Sequence, residues 1–331
     1  MRIVSLVPHA TELLFALELD EQVVGVTHEC DHPREIRGTT VLTASRIPGE
    51  GLTSAEIDHA VAGRLSGHQS LYHLDAAGLR ELRPDLVLTQ ELCDVCAVSY
   101  AEVQRAAARV LDAGTRVVSL EPTTLDEVFG TIELVGTLTD RSARARELVA
   151  SLRGRVDAVR SRLPDGISRP RVWVCEWLEP PYAAGHWVPA QVEAAGGQEV
   201  FQRTGLPSTR VLPEEIITRA PEVVILAPCG FRLDEVEREA VRVSPFPGWD
   251  RLPAVREGRV WAVDASSYVS RPGPRLVGGV EILARIFHPE IFGSPDPGTA
   301  RRLARGTPGS ARGVGPRAGS VDDPSPNAGR S

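Results

Sequence analysis

The residues of this chain best suited to chemistry are its five cysteines, a few histidines and a run of aromatic side chains. Cys93-Asp94-Val95-Cys96 is a C-x-x-C pair, the spacing of half a zinc or iron–sulfur site, or of a redox couple. No second C-x-x-C follows, so Cys30, His28 or His32 would have to complete a metal site across the fold. Cys30, Cys93 and Cys96 are therefore the candidate metal ligands. All five cysteines, Cys30, Cys93, Cys96, Cys175 and Cys229, fall at or just after the end of an expected strand. Ligands of open parallel sheets bind outside the carboxyl ends of the strands. These cysteines, with His9, His28, Glu91, Glu121, Trp177, Tyr268 and Arg271, are thus the candidates to line one cleft. The plainer alternatives stay open: free cysteines pack in cores, and most single histidines are simply hydrogen-bonded.

A second constellation, Glu176 to Trp187, gathers Trp177, Tyr182, His186 and Trp187 around prolines and small residues. Rings outside any amphipathic stripe suit a broad, flat, partly apolar ligand, or else cap a core. Walker A, G-x-G-x-x-G and G-x-S-x-G are absent, so nucleotide-hydrolysing, dinucleotide and hydrolase readings lack their motifs.

The elements that must position these residues alternate strand and helix. Ile3 to Val7, Val23 to Val26, Asp85 to Thr89 and Arg116 to Leu120 read as buried strands of a first lobe. Arg171 to Cys175, Val223 to Leu226 and Arg259 to Val263 read as those of a second. Thr53 to Glu56, Ser99 to Glu102 and Thr124 to Glu127 have capping-box spacing and open helices. Between the lobes, Arg141 to Leu163 sets Ala145, Leu148, Val149, Leu152, Val156, Val159 and Leu163 on one helical stripe, with seven arginines on the other faces. The organisation expected is an α/β lobe over 1–136, a connecting helix over 137–164, a second α/β lobe over 165–293 and a disordered tail over 294–331. Parallel sheets with right-handed crossovers follow from the alternation.

The 331 residues suffice for two cores, and all 37 basic residues are arginine. A net charge of -7 argues against nucleic acid as partner, and no apolar run is long enough to span a membrane. Ile3 to Val7 reads as a core strand rather than part of an export signal, so the expected location is the cytoplasm, with thiols reduced.

R-I-V-S-L-V-P-H-A-T-E at the start, L-R-P-D-L-V-L-T, A-P-E-V-V-I-L, Trp249 to Asp264 and Ser270 to Ala284 together resemble the helical-backbone (class III) substrate-binding proteins of ABC importers for cobalamin and iron-siderophores. The resemblance covers about residues 1–293 and leans to the cobalamin branch. It implies two Rossmann-like lobes bridged by one long helix, a corrinoid or similar metal chelate between them, and no catalysis. It also implies transporter docking through one acidic residue per lobe. Glu214 stands at the second-lobe position; the first-lobe equivalent is Ala77, with Asp75 two residues away. A thiolate or imidazole could then reach the ligand's metal. The rival reading is a cytosolic protein or enzyme holding a metal ion or iron–sulfur cluster through its cysteines.

Overall fold

The computed structural model describes residues 1–47, 51–66, 70–90, 114–243 and 246–304. The first sheet is built on β1 (Ile3–Ser5), whose three residues are all buried. It lies between β2 (Val23–Val26) and, on the other side, the strand at Leu86–Thr89, in a parallel sheet whose outer members are Thr40–Val41 and Arg116–Ser119. Numbered in chain order these are β3 (Thr40–Val41), β6 (Leu86–Thr89) and β7 (Arg116–Ser119), with β4 (Thr43–Ser45) and β5 (Tyr72–Leu74) forming a small antiparallel pair. The order β3-β2-β1-β6-β7 reverses direction between β1 and β6. α1 (Pro8–Ala16) therefore starts at a switch point, where such sheets bind ligands. α2 (Ser54–Ser66) lies between β4 and β5, and α3 (Ala76–Leu82) precedes β6.

α4 (Leu125–Leu138) opens on the expected capping box: Thr124 accepts the Glu127 N–H, and the Glu127 carboxylate accepts the Thr124 N–H. α5 (Ser142–Arg162) is the connector, about 32 Å long at the helical rise. It buries Ala145, Val149, Leu152, Val156 and Val159, one stripe. Full burial of each Val or Leu is worth about 1.5–3 kcal/mol. A single apolar cluster runs from Ile3 and Leu86 through Val149, Leu152 and Val156 to Val172 and Ile225, so the connector belongs to the core of both lobes. Its crossing with α4 is close: a Cβ at Gly136 would lie 2.4 Å from the Ala145 Cβ.

The second sheet centres on β8 (Arg171–Trp177), parallel to β12 (Val223–Leu226), which is parallel in turn to β13 (Val260–Val263). The other edge of β8 is shared: β10 (Gln198–Glu199) pairs parallel with its start and β9 (Tyr182–Ala183) antiparallel with its end. β11 (Thr209–Arg210) extends this edge beyond β9. The Pro-rich stretch after Trp177 is thus a hairpin, because Pro180 and Pro181 turn the chain and Tyr182 returns to pair with Trp177. Around this sheet lie α6 (Val188–Ala194), α7 (Pro213–Arg219), α8 (Leu233–Arg242) and α9 (Leu276–Phe287). The tail also needs correction. Its first eleven residues, 294–304, are ordered, and β14 (Ala300–Arg302) pairs antiparallel with β13. Ala300 is buried in the common core, which the polar composition of this stretch does not announce. The remainder of the tail lies outside the described residues.

Candidate ligand-binding cleft

The first-lobe wall is built by the turn from β1 into α1 and the loop after β2. Pro8, with no N–H to satisfy, opens α1 and places His9, Thr11 and Glu12 in its first two turns. Thr11 Oγ1 lies 2.8 Å from Ser5 Oγ and 3.0 Å from Cys30 Sγ. Burial pushes the Cys30 thiol up to about 11, so near neutral pH it sits protonated beside Thr11. His28 Nδ1 sits 2.7 Å from Thr43 Oγ1, and its ring packs 5.7 Å from that of Tyr72. His9 is buried, and its Nε2 has no hydrogen-bond partner among the described residues. Burial first, then the Arg271 charge, lowers its pKa to about 3, so the imidazole is neutral.

Facing this wall is a basic edge of the second lobe. Arg275 grips Glu12 through two nitrogens, at 2.8 and 2.5 Å. Arg271 Nη1 reaches Glu12 at 3.3 Å and Asp31 at 2.5 Å, and Arg232 donates to the other oxygen of Asp31 at 2.5 Å. Burial opposes ionisation of Asp31, but Arg271 and Arg232 outweigh it and hold its carboxyl below the ordinary range. The backbone between these arginines lies directly on α1, where a Cβ at Gly273 would meet the His9 Cβ at 3.4 Å.

A second contact lies at α2. The Ser54 N–H donates to Glu239 on α8 at 2.5 Å, while its carbonyl accepts the Trp177 indole N–H at 3.1 Å. Arg242 adds a bond to the Gly51 carbonyl at 2.9 Å. Trp177 stands at the end of β8, edge-on to Phe231 at 5.6 Å.

Of the residues singled out from sequence, His9, Cys30, Trp177 and Arg271 lie at this inter-lobe boundary, while His28 bonds and packs within its own lobe. Tyr268 is half-buried just before Arg271, with its carbonyl held by Gln191 at 3.0 Å. Glu121 follows β7 and accepts from Ser119 Oγ. The Cys229 N–H bonds the Glu176 carbonyl at 3.0 Å. Cys175 differs from expectation: it lies inside β8, buried, with burial raising its pKa and its thiol donating to the Trp177 carbonyl. Trp187 is core, 6% exposed, its N–H donating to Val269 O at 2.7 Å. A buried indole needs such a partner, and its own lobe supplies it. His186 stacks on Trp187 in a left-handed conformation, and Tyr182 is half-buried in β9. Glu91, Cys93 and Cys96 lie outside the described residues, as does the helix expected from Ser99. Among the described residues, no cluster of three or more His, Cys, Asp or Glu could hold a metal ion.

Sequence reasoning missed Glu12, Asp31, Ser54, Arg232, Glu239 and Arg275. Two of these carried a signal. Glu12 lies among Ala10, Leu13 and Leu14, and Glu239 follows Leu233 and Val236, each a carboxylate within an apolar stripe.

Residues 3–266 match the periplasmic binding protein family over most of the chain. The chain belongs to that family. Its members bind substrates rather than transform them. A cobalamin-binding protein of Halobacterium salinarum is 28% identical over 87% of this chain and 69% of its own. A vitamin B12-binding protein of Vibrio cholerae is 23% identical over 85% and 86%. Among solved structures, a periplasmic heme-binding protein from Roseiflexus superposes with a TM-score of 0.64 at 23% identity, over 87% of this chain and 98% of that one, a likeness of fold. The two lobes and the helix between them are the architecture that the family resemblance implied.

Proposed function

We propose that this periplasmic binding protein family member takes a corrinoid, cobalamin or a close relative, into the cleft between its lobes. The observation that carries the reading is the meeting of the two lobes near their strand ends: Trp177 at the end of β8 donates to Ser54, and Arg271 of the second lobe pairs with Asp31 in the loop after β2. The cobalamin-binding relatives supply the ligand class. His9, the His28–Cys30 loop, Trp177, Tyr268 and Arg271 are the contacts from the described residues. His9, neutral and with Nε2 unpartnered, is the imidazole suited to meet the metal of such a ligand. Delivery to an ABC importer is the second part of the proposal, with Glu214, exposed in the first turn of α7, as a docking acid.

The test is titration of the reduced protein with cobalamin, followed in the visible spectrum. Saturation at micromolar concentration or below supports the proposal, and a spectral shift abolished in His9→Ala identifies the metal contact. No saturable change overturns the corrinoid reading.

A further inference from the structure

We propose that the lobes carry their own latch, two clasps of protein side chains that hold the cleft shut before any ligand arrives. The first clasp joins the carboxylates of Glu12 and Asp31 to the guanidiniums of Arg232, Arg271 and Arg275. The second joins Ser54 at the start of α2 to Glu239 on α8. The arrangement is reciprocal. Each lobe contributes a carboxylate whose side chain is 3% exposed, Glu12 from the first and Glu239 from the second. Glu12 finds its cationic partners, and Glu239 its amide donor, across the cleft.

A carboxylate buried beside apolar neighbours is costly unless it is paired and hydrogen-bonded. Here closure itself both buries the carboxylate and supplies the partner. Parting the lobes returns the carboxylates to water: Glu12 loses its arginines, and Glu239 loses the Ser54 amide while keeping Arg242 of its own helix at 3.8 Å. Desolvation and pairing nearly cancel for such pairs, so the closed and open forms stay close in free energy. That near balance makes the contacts a latch rather than a weld, because a ligand can shift only a balance within its differential affinity. The continuous core through α5 restricts the motion to a small rocking of the lobes. Ligand entry then requires breaking both clasps, and the apparent affinity is reduced by the fraction of molecules closed.

The latch concerns the ligand-free protein, so its test needs no ligand. Hydrogen exchange of the full chain is followed in peptides covering 27–36 and 51–66, in wild type and in Glu12→Gln. Among the described residues, Glu12 bonds Arg271 and Arg275, and Ser54 bonds Glu239 and Trp177. The latch predicts that Glu12→Gln accelerates exchange of the Ser54 amide, at the remote clasp, by about tenfold, as expected when a shared opening becomes easier. Glu239→Gln, conversely, accelerates 27–36. Acceleration confined to the clasp that carries the substitution overturns the proposal, since the contacts would then be independent. If Glu12→Gln does not fold, Arg232→Gln at the exposed rim replaces it under the same criterion. Failure of cobalamin to bind bears on the ligand reading alone.

Discussion

The Trp177 indole and the Ser54 carbonyl meet at 3.1 Å from opposite lobes, making one aromatic side chain part of both the β8 strand end and the α2 helix start. The ring also packs edge-on to Phe231. Trp177→Ala removes both contacts and the surface proposed to face the ligand. The expected result is a loss of cobalamin affinity of about tenfold or more, the scale of a buried aromatic anchor. Trp177→Phe keeps the ring contact but not the donor, and should lie between. Visible-spectrum titration of the three proteins gives the order.

The proposed docking role and a folding role separate at two acids. Asp75 accepts the Gly78 N–H at 2.9 Å and caps α3, whereas Glu214 is exposed on α7. Asp75→Ala should cost about 0.5–2 kcal/mol of stability through the lost cap. Glu214→Ala should leave stability and ligand binding unchanged while reducing importer-dependent uptake. Denaturant unfolding and uptake by cells carrying the variant distinguish the two.

The α4–α5 crossing depends on a missing side chain. Gly136→Ala forces a Cβ to within 2.4 Å of Ala145 and 3.2 Å of the Arg141 carbonyl. Overpacking of this kind costs about 1–3 kcal/mol. Gly130, on the same helix with nothing within 4 Å, is the control. Gly130→Ala should raise stability by about 0.5–1 kcal/mol. Urea unfolding midpoints measure both.

His9 makes stability depend on pH in the acid range. Its folded pKa is about 3, below the 6.5 of a free imidazole. The folded form therefore resists a proton that the unfolded chain accepts. Stability is complete above pH 6.5 and falls as pH drops through the window toward 3, with a limiting slope of about 1.4 kcal/mol per pH unit from this residue. His9→Gln should flatten that part of the curve in urea titrations at stepped pH.

Both lobes, the connector and the two capping boxes at Thr53 and Thr124 are legible in sequence because each is a local pattern of period 2 or 3.6 or a fixed offset. Trp187 and Cys175 were not, since burial within a lobe depends on partners distant in the chain, Val269 for one and the strands flanking β8 for the other. The clasp residues were hidden for a similar reason. Glu12 and Arg275 are 263 positions apart, and no spacing rule connects them. Their only local trace is a charge set in an apolar stripe.

The pairing of β14 with β13 gives residues 300–302 a protective task. Trp261, Ala262 and Val263 face Arg302, Arg301 and Ala300 across that boundary. A chain ending at Gly293 would leave the apolar Val260–Val263 strand with bare amides and carbonyls along its rim, a template on which a second molecule could add its own strand. The arginines at 301 and 302 oppose such stacking by charge as well as by occupancy. The short segment after the final helices thus acts as a hem, covering the margin of the sheet at β13.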